Sequence, residues 1–211
     1  KIIKLPLCVS IHSDSDQRYK LKGPGNSYTL FGLRYPAVLL SKLILSQADM
    51  ILPIRESLGQ WALRHGANAD SIRVIPHGID FSKYDHVDKY GDWLPETVND
   101  KQIISFVGRL TKENYVDQFP EIIEKLLKVR DNFILVIAGG GELTPYLEEA
   151  MVCSPILKQH LLLLGFQSQE KCFSLQQKST ACLCLMGGYS LIEACVAARP
   201  VISYNVEWHH E

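Results

Sequence analysis

The sequence has no excess of either charge, no long apolar run and no cysteine framework, and each absence closes a class of function. Among its 211 residues, 22 Lys and Arg stand against 23 Asp and Glu, for a net charge of −1. That balance gives no ground for nucleic acid as a partner, although net charge is silent on a local basic patch toward a membrane surface. The most apolar stretch, residues 37–45, is interrupted by Lys42 and falls well short of the ~20 residues a membrane-spanning helix needs. No signal-peptide pattern opens the chain, which starts at Lys1 rather than Met. Sequence before Lys1 is left free to carry a targeting or anchoring segment. The six cysteines, Cys8, Cys153, Cys172, Cys182, Cys184 and Cys195, have the spacing of neither a zinc ribbon nor a thioredoxin-type pair. Most are expected to be buried, reduced thiols of a cytosolic protein. Cys182 and Cys184, two apart in an apolar run, share one face of a strand.

What is present is an alternation of apolar runs and amphipathic stretches, the pattern of parallel α/β proteins. Strands are expected at Leu7–Ile11, Met50–Pro53 and Arg73–Pro76, with helices around Ala37–Ser46 and Arg55–His65. Residues 81–100 are charged and turn-rich without a period, and read as a linker between lobes. The alternation then restarts, with strands at Ile103–Val107, Phe133–Ala138, Leu161–Leu164, Ala181–Leu185 and Val201–Tyr204. Pro120 suits the first turn of one intervening helix, Thr144-Pro145 reads as an N-cap followed by proline, and Ser190–Ala198 is the last helix. Residues 1–80 and 101–211 are thus expected to form two parallel sheets. A Rossmann-type lobe builds about six strands, so the first lobe is expected to be incomplete and the second truncated at its C-terminus.

Five segments carry candidate chemistry. In Phe106-Val-Gly-Arg-Leu110, Arg109 follows a strand at its carboxyl edge, where open parallel sheets bind ligands. Its planar fork suits a diphosphate; an interlobe or surface ion pair is the alternative. In Ala138-Gly-Gly-Gly-Glu142 the glycines, Gly140 among them, let a backbone turn approach a nucleotide, or make a tight strand-to-helix turn. The run is neither a G-x-G-x-x-G fingerprint nor a Walker loop. In Gly187-Gly-Tyr-Ser-Leu-Ile-Glu193 two glycines precede a helix N-terminus, a natural phosphate site. Glu193 lies three residues after Ser190. It either closes a capping box with Ser190 or accepts the ribose hydroxyls of a nucleotide. His12 follows the first strand at its carboxyl edge and can meet a sugar hydroxyl or the charge forming in a reaction. Val74-Ile-Pro-His-Gly-Ile-Asp80 reads as a hinge in which Gly78 permits a sharp turn and Asp80 caps it. Adjacent His209 and His210 lack ligand spacing, so no metal site is read from them. Asp14-Ser-Asp16 reads as solvated turn chemistry.

Taken together, IPHGID, FVGRL, IAGGGE, LLLGF and GGYSLIEACVAARPVI occur in the order of glycosyltransferase family 4, between about Arg73 and Tyr204, and the chain resembles that family. The resemblance implies a GT-B fold of two Rossmann-like lobes, with residues 1–80 the second half of the acceptor-side lobe and 101–211 the donor-binding lobe. It implies a retaining, hexosyltransferase-like enzyme that needs neither metal nor cofactor and uses a nucleoside diphosphate sugar as co-substrate. The acceptor would be a glycan or lipid-linked hydroxyl, in the cytoplasm or against the inner face of a membrane. By the same resemblance Arg109 binds phosphate, Gly187, Gly188 and Tyr189 form the turn nearest the donor, and Ser190 and Leu191 offer backbone N–H groups to the diphosphate. Glu193 meets the ribose, Phe166 and Gln167 lie at the base, and His12 lies near the donor sugar. Two positions depart from the pattern: Leu185 stands where the first glutamate of E-x7-E falls, and Asn114 where a lysine falls, with Lys112 close by. A GT-B nucleotide-sugar epimerase and a non-catalytic sugar-nucleotide-binding protein are the alternatives. Residues 1–211 alone are expected to bind nucleotide weakly without transferring sugar.

Overall fold

The computed structural model describes residues 5–12, 39–84 and 93–205, and contacts divide the chain into two compact units that part between Gly78 and Ile79. Asp14-Ser-Asp16 and the tail from Trp208 lie outside the described residues.

In the first unit, β1 (Cys8–Ile11) pairs in parallel with β2 (Met50–Pro53), Cys8 opposite Met50 and Ile11 opposite Pro53. Between them residues 39–47 form α1, and α2 (Glu56–Arg64) follows β2. Leu58, Trp61 and Ala62 of α2 recur at helical spacing and bury against Ile11, Leu45 and Ile51. The expected strand at Arg73–Pro76 does not form as a regular strand. Ile72 bridges Ile51, and the amides of Arg73 and Ile75 donate to the carbonyls of Ile51 and Pro53, both at 2.9 Å. Pro53 has no N–H to return the next bond, so the ladder stops after one bridge. Gly78 is a second correction: its φ is not in the left-handed region and a Cβ there would meet nothing within 4 Å. Asp80 does cap, its Oδ1 accepting from the Ser82 amide at 3.1 Å.

The second unit is a five-stranded sheet ordered β5-β4-β3-β6-β7, parallel at every pairing. Its strands are β3 (Gln102–Val107), β4 (Phe133–Ala138), β5 (Leu161–Leu163), β6 (Ala181–Leu183) and β7 (Val201–Ile202). Every residue of β4 is buried, which is why its sequence is an unbroken apolar run rather than an alternating one. Phe133, Leu135 and Ile137 face one core with Phe106 and Ile123; Ile134, Val136 and Ala138 face another with Leu175. Helices therefore cover both faces: α3 (Phe119–Leu127), α4 (Thr144–Cys153) and α5 (Pro155–His160), then α6 (Gln169–Lys178) and α7 (Tyr189–Val196). Thr144 is the first residue of α4 and not its N-cap; its hydroxyl instead accepts from the Gly141 amide at 3.1 Å.

The segment read as a linker contributes to this unit where it is described. Tyr84 is buried with Phe173 and Ala197, and the Trp93 indole donates to Ser174 Oγ at 3.2 Å. No helix among the described residues is long and apolar enough to cross a membrane.

The cysteines divide differently from expectation. All six are free, and only Cys182 and Cys184 are buried; Cys8, Cys153 and Cys195 are exposed and Cys172 is half-buried. Apolar patterning locates a thiol on a strand, but it cannot tell the solvent side of a helix from its packed side when the helix is uniformly mild in polarity. Burial pushes the Cys184 thiol up to about 12, leaving essentially no thiolate at neutral pH. We expect Cys153 and Cys195 of the folded protein to react with a thiol reagent within minutes, and Cys182 and Cys184 only after denaturation. Site-resolved mass spectrometry of alkylated peptides checks this.

Candidate functional site

Strand order 5-4-3-6-7 places a topological switch point between β3 and β6, because the chain runs outward from β3 through β4 to β5 and from β6 to β7. Open parallel sheets bind ligands outside the carboxyl ends of the strands at such a point. β3 leads to Arg109 and β6 to Gly187 and Gly188, with Phe106 and Leu183 in register on the two neighbouring strands.

Arg109 is held at the backbone and open at the side chain. The Asn114 side-chain amide donates to the Arg109 carbonyl at 2.8 Å, so the residue at the expected lysine position fastens this turn. The guanidinium is 75% exposed and stands 3.9 Å from Glu113, a loose surface pair of the kind that contributes little. Lys112, also exposed, opens the short 3-10 turn Lys112–Asn114.

The glycine run after β4 crosses the turn after β3 at contact distance. The Gly108 amide donates to the Ala138 carbonyl at 3.1 Å, the Leu110 amide to the Gly140 carbonyl at 3.1 Å, and the Gly139 amide to the Gly165 carbonyl at 2.8 Å. A Cβ on Gly139 would lie 1.9 Å from the Gly108 oxygen, and one on Gly141 would lie 2.5 Å from the Leu110 oxygen. The glycines thus permit backbone to pass backbone. Gly140 lies beneath Phe166, whose ring would be 2.7 Å from an added Cβ. The outer face of Phe166 is open, at 84% exposure. Gln167 turns its amide back to the Leu164 carbonyl at 2.7 Å.

At the third turn, Gly187 and Gly188 have φ of 78° and 84°, values that glycine adopts without a Cβ clash. Gly188 is the N-cap of α7 and offers no side chain to it. By helix geometry the first turn of α7, where Ser190 lies, carries the positive end of the helix dipole; the Leu191 amide, expected to face a diphosphate, instead donates to the Gly188 carbonyl at 3.2 Å. Tyr189 is exposed, Ser190 and Leu191 half-buried. The capping-box alternative is corrected here. Ser190 lies inside the helix, and Glu193 is buried and hydrogen-bonded elsewhere. Its Oε1 accepts from the Tyr84 hydroxyl at 3.0 Å and the Gln169 side-chain amide at 3.1 Å. Burial first, then the neighbouring carboxylate, raise the Tyr84 phenol well above its ordinary value. Leu185 joins the apolar core with Phe106 and Leu110.

In the first unit, His12 follows β1, exposed, with Nε2 3.0 Å from Ser10 Oγ. Its ring centroid is 5.4 Å from that of His77. The structure therefore places Arg109 and the Gly187–Gly188 turn after neighbouring strands of one sheet, Glu193 in the helix that the glycine turn opens, and Phe166 and Gln167 on the turn after β5. It also adds three residues that sequence reasoning passed over: His77, Tyr84 and Gln169. His77 sits in the segment that reads as a hinge and Tyr84 just inside the one that reads as a linker, so no local pattern marks either. Among the described residues no group of three or more His, Cys, Asp or Glu side chains could hold a metal ion.

A parallel sheet with an arginine and an uncapped, glycine-led helix at its switch point is the framework of a Rossmann-like nucleotide-binding lobe. Residues 95–211, more than half of the chain, match the model of the glycosyl transferases group 1, and the chain belongs to that family. It is 25% identical over 217 residues to an uncharacterized glycosyltransferase of Methanocaldococcus jannaschii, covering 97% of this chain and 53% of that protein. The fold is similar to that of Anabaena HepE, solved with UDP-glucose, with a TM-score of 0.69 at 15% identity over 95% of this chain and 54% of that one. Sucrose-phosphate synthase from Thermosynechococcus elongatus gives 0.68 at 19% identity, over 94% and 50%. The fold class is GT-B, and the chain spans about half the length of these relatives.

Proposed function

We propose that this chain is part of a retaining glycosyltransferase that moves a hexosyl group from a nucleoside diphosphate sugar to a hydroxyl acceptor in glycan, polysaccharide or glycolipid synthesis. The observation that carries this is the pairing, on neighbouring strands at the switch point, of an open arginine with an uncapped helix N-terminus. When the bond from sugar to diphosphate breaks, negative charge grows on the leaving group. Arg109 and the N–H group of Ser190 at the start of the helix are fixed donors for that charge, and donors that need no reorganisation stabilise a transition state most. Lys112 adds a mobile cation beside them. Phe166 offers an open ring face to the base and Gln167 its edge, while Glu193 takes the ribose. A uridine base is favoured by the likeness to HepE, which was solved with UDP-glucose.

The first unit holds the acceptor in this proposal, with His12 and its neighbour His77 at the carboxyl end of the sheet. The diphosphate charge is met by protein donors, so transfer is metal-independent, and the protein works on the cytoplasmic side, peripheral to a membrane where the acceptor is lipid-linked. Residues 1–211 by themselves bind nucleotide without completing transfer, because positioning the acceptor can supply ~7–11 kcal/mol of the barrier.

A second reading, a sugar-nucleotide-binding protein without transfer, is favoured by one observation: the residue at the family's first-glutamate position, Leu185, is apolar and packed in the core. We expect the full-length protein to transfer from one member of a panel of UDP-, GDP- and ADP-hexoses, with retained anomeric configuration by NMR and undiminished rate in EDTA. Nucleotide binding without transfer or hydrolysis across the panel supports the second reading. An epimerised sugar nucleotide rejects both, and a rate lost to chelation and restored by manganese rejects metal independence.

A further inference from the structure

Glu193 belongs to a closed hydrogen-bonded triangle. The Tyr84 hydroxyl donates to Glu193 Oε1 at 3.0 Å, the Gln169 amide nitrogen donates to the same oxygen at 3.1 Å, and its other hydrogen reaches the Tyr84 hydroxyl oxygen, also at 3.1 Å. Each partner comes from a different part of the unit: Tyr84 from the segment just after the Phe81–Lys83 turn, Gln169 from the first position of α6, and Glu193 from the fifth position of α7. The corner at Tyr84 is rigid. Its ring is buried, 4.1 Å from the Phe173 ring by centroids, and it packs with Ile79, Val196 and Ala197. Both donated bonds fall on one oxygen of Glu193, and Oε2 makes none among the described residues.

We infer that Tyr84 and Gln169 are positioning residues for Glu193: they hold Oε1 and so present Oε2 to the ribose hydroxyls of the bound nucleotide. The inference rests on the reading of Glu193 as the ribose acceptor. A glutamate side chain turns about several bonds, and a sugar hydroxyl gains little from an acceptor that must first be ordered. Two charge-assisted bonds to one oxygen remove that freedom before the nucleotide arrives. The raised phenol pKa keeps Tyr84 a donor at every working pH. Gln169 also links two parts of the site. It stands two residues beyond Gln167 and behind the Ser168 cap, so the turn assigned to the base and the carboxylate assigned to the ribose share one helix start.

The test measures nucleotide affinity by titration calorimetry in the full-length protein. Whichever of UDP, GDP and ADP binds most tightly is compared with its 2′-deoxy and 3′-deoxy forms. The wild type is expected to prefer the ribose form by about tenfold, the scale of one hydrogen bond to a charged group. Glu193→Gln should collapse that preference. Tyr84→Phe keeps the ring packing and removes only the hydroxyl; Gln169→Met keeps the shape and removes the donors. Each should lower the preference roughly three- to fivefold, and the pair should approach the Glu193→Gln value. A structural role alone would lower Tm and leave the ribose preference intact. Collapse in Glu193→Gln with full preference retained in both other variants overturns the positioning role. Full preference retained in Glu193→Gln overturns the ribose reading itself, and this inference with it. Should Tyr84→Phe not fold, Gln169→Met decides.

Discussion

Replacing Arg109 with alanine should lower kcat/KM for sugar transfer by about 10²–10³-fold, with Tm unchanged. That corresponds to about 2.7–4 kcal/mol, the scale of removing one preorganised donor to a developing anion. The structure separates this effect from stability. The guanidinium is mostly in solvent and its pairing with Glu113 is long, at 3.9 Å between two exposed groups, so truncation leaves no buried partner unsatisfied. The backbone of the turn is held independently, by the Asn114 amide on the Arg109 carbonyl. Lysine at this position restores charge without the planar fork, and Arg109→Lys should recover only part of the loss. Steady-state kinetics on both variants make the measurement. Wild-type kcat/KM in Arg109→Ala removes this residue from the donor site.

Gly139→Ala should destabilise the fold by about 3–5 kcal/mol, a large part of the ~5–15 kcal/mol that holds a domain folded. The added Cβ would lie 1.9 Å from the Gly108 carbonyl oxygen, at a φ of 146° that side-chain-bearing residues rarely adopt. Both partners are backbone, so no rotamer change relieves the clash. The two strand ends would have to separate, breaking the Gly108–Ala138 and Gly139–Gly165 bonds. Gly78→Ala is the control, since its Cβ meets nothing within 4 Å, and its stability should change by less than ~0.5 kcal/mol. Urea midpoints for the two variants provide the comparison. A Gly139→Ala midpoint near wild type would mean that the turns after β3 and β4 do not cross this closely.

Much of the architecture was legible because local patterns carry local causes. A strand covered on both faces has no polar position, so the β4 run Phe133–Ala138 declared itself, and so did the restart of alternation near Ile103. The glycine runs declared turns for the same reason. Their partners were not legible. Nothing near Gly139 in sequence announces that the Gly108 carbonyl occupies the space a side chain would need. The Arg73–Pro76 strand failed through Pro53, a residue on the neighbouring strand whose missing N–H matters only once the register is known.

The candidate site divides along the same line. Residue type and position at a strand's carboxyl edge singled out Arg109, Gly187 and Gly188, because an anion site needs a cation, free amides and room for backbone. The choice between two fates for Glu193 was beyond the sequence. The spacing Ser190 to Glu193 satisfies a capping box, yet the helix starts one residue earlier, and the carboxylate turns to Tyr84, 109 positions away. Strand order likewise had to be folded to be known: β3 and β6 are neighbours across 73 residues or more of chain, from Val107 to Ala181. By itself the sequence determined the α/β class, most of the strands, the glycine turns after β4 and β6, and the residue types able to meet a diphosphate, since each follows from interactions within a few residues. Which strands are adjacent, where the switch point falls, which backbones cross and which side chains hold Glu193 were decided only by tertiary structure. Those contacts join segments whose separation along the chain leaves no local pattern to read.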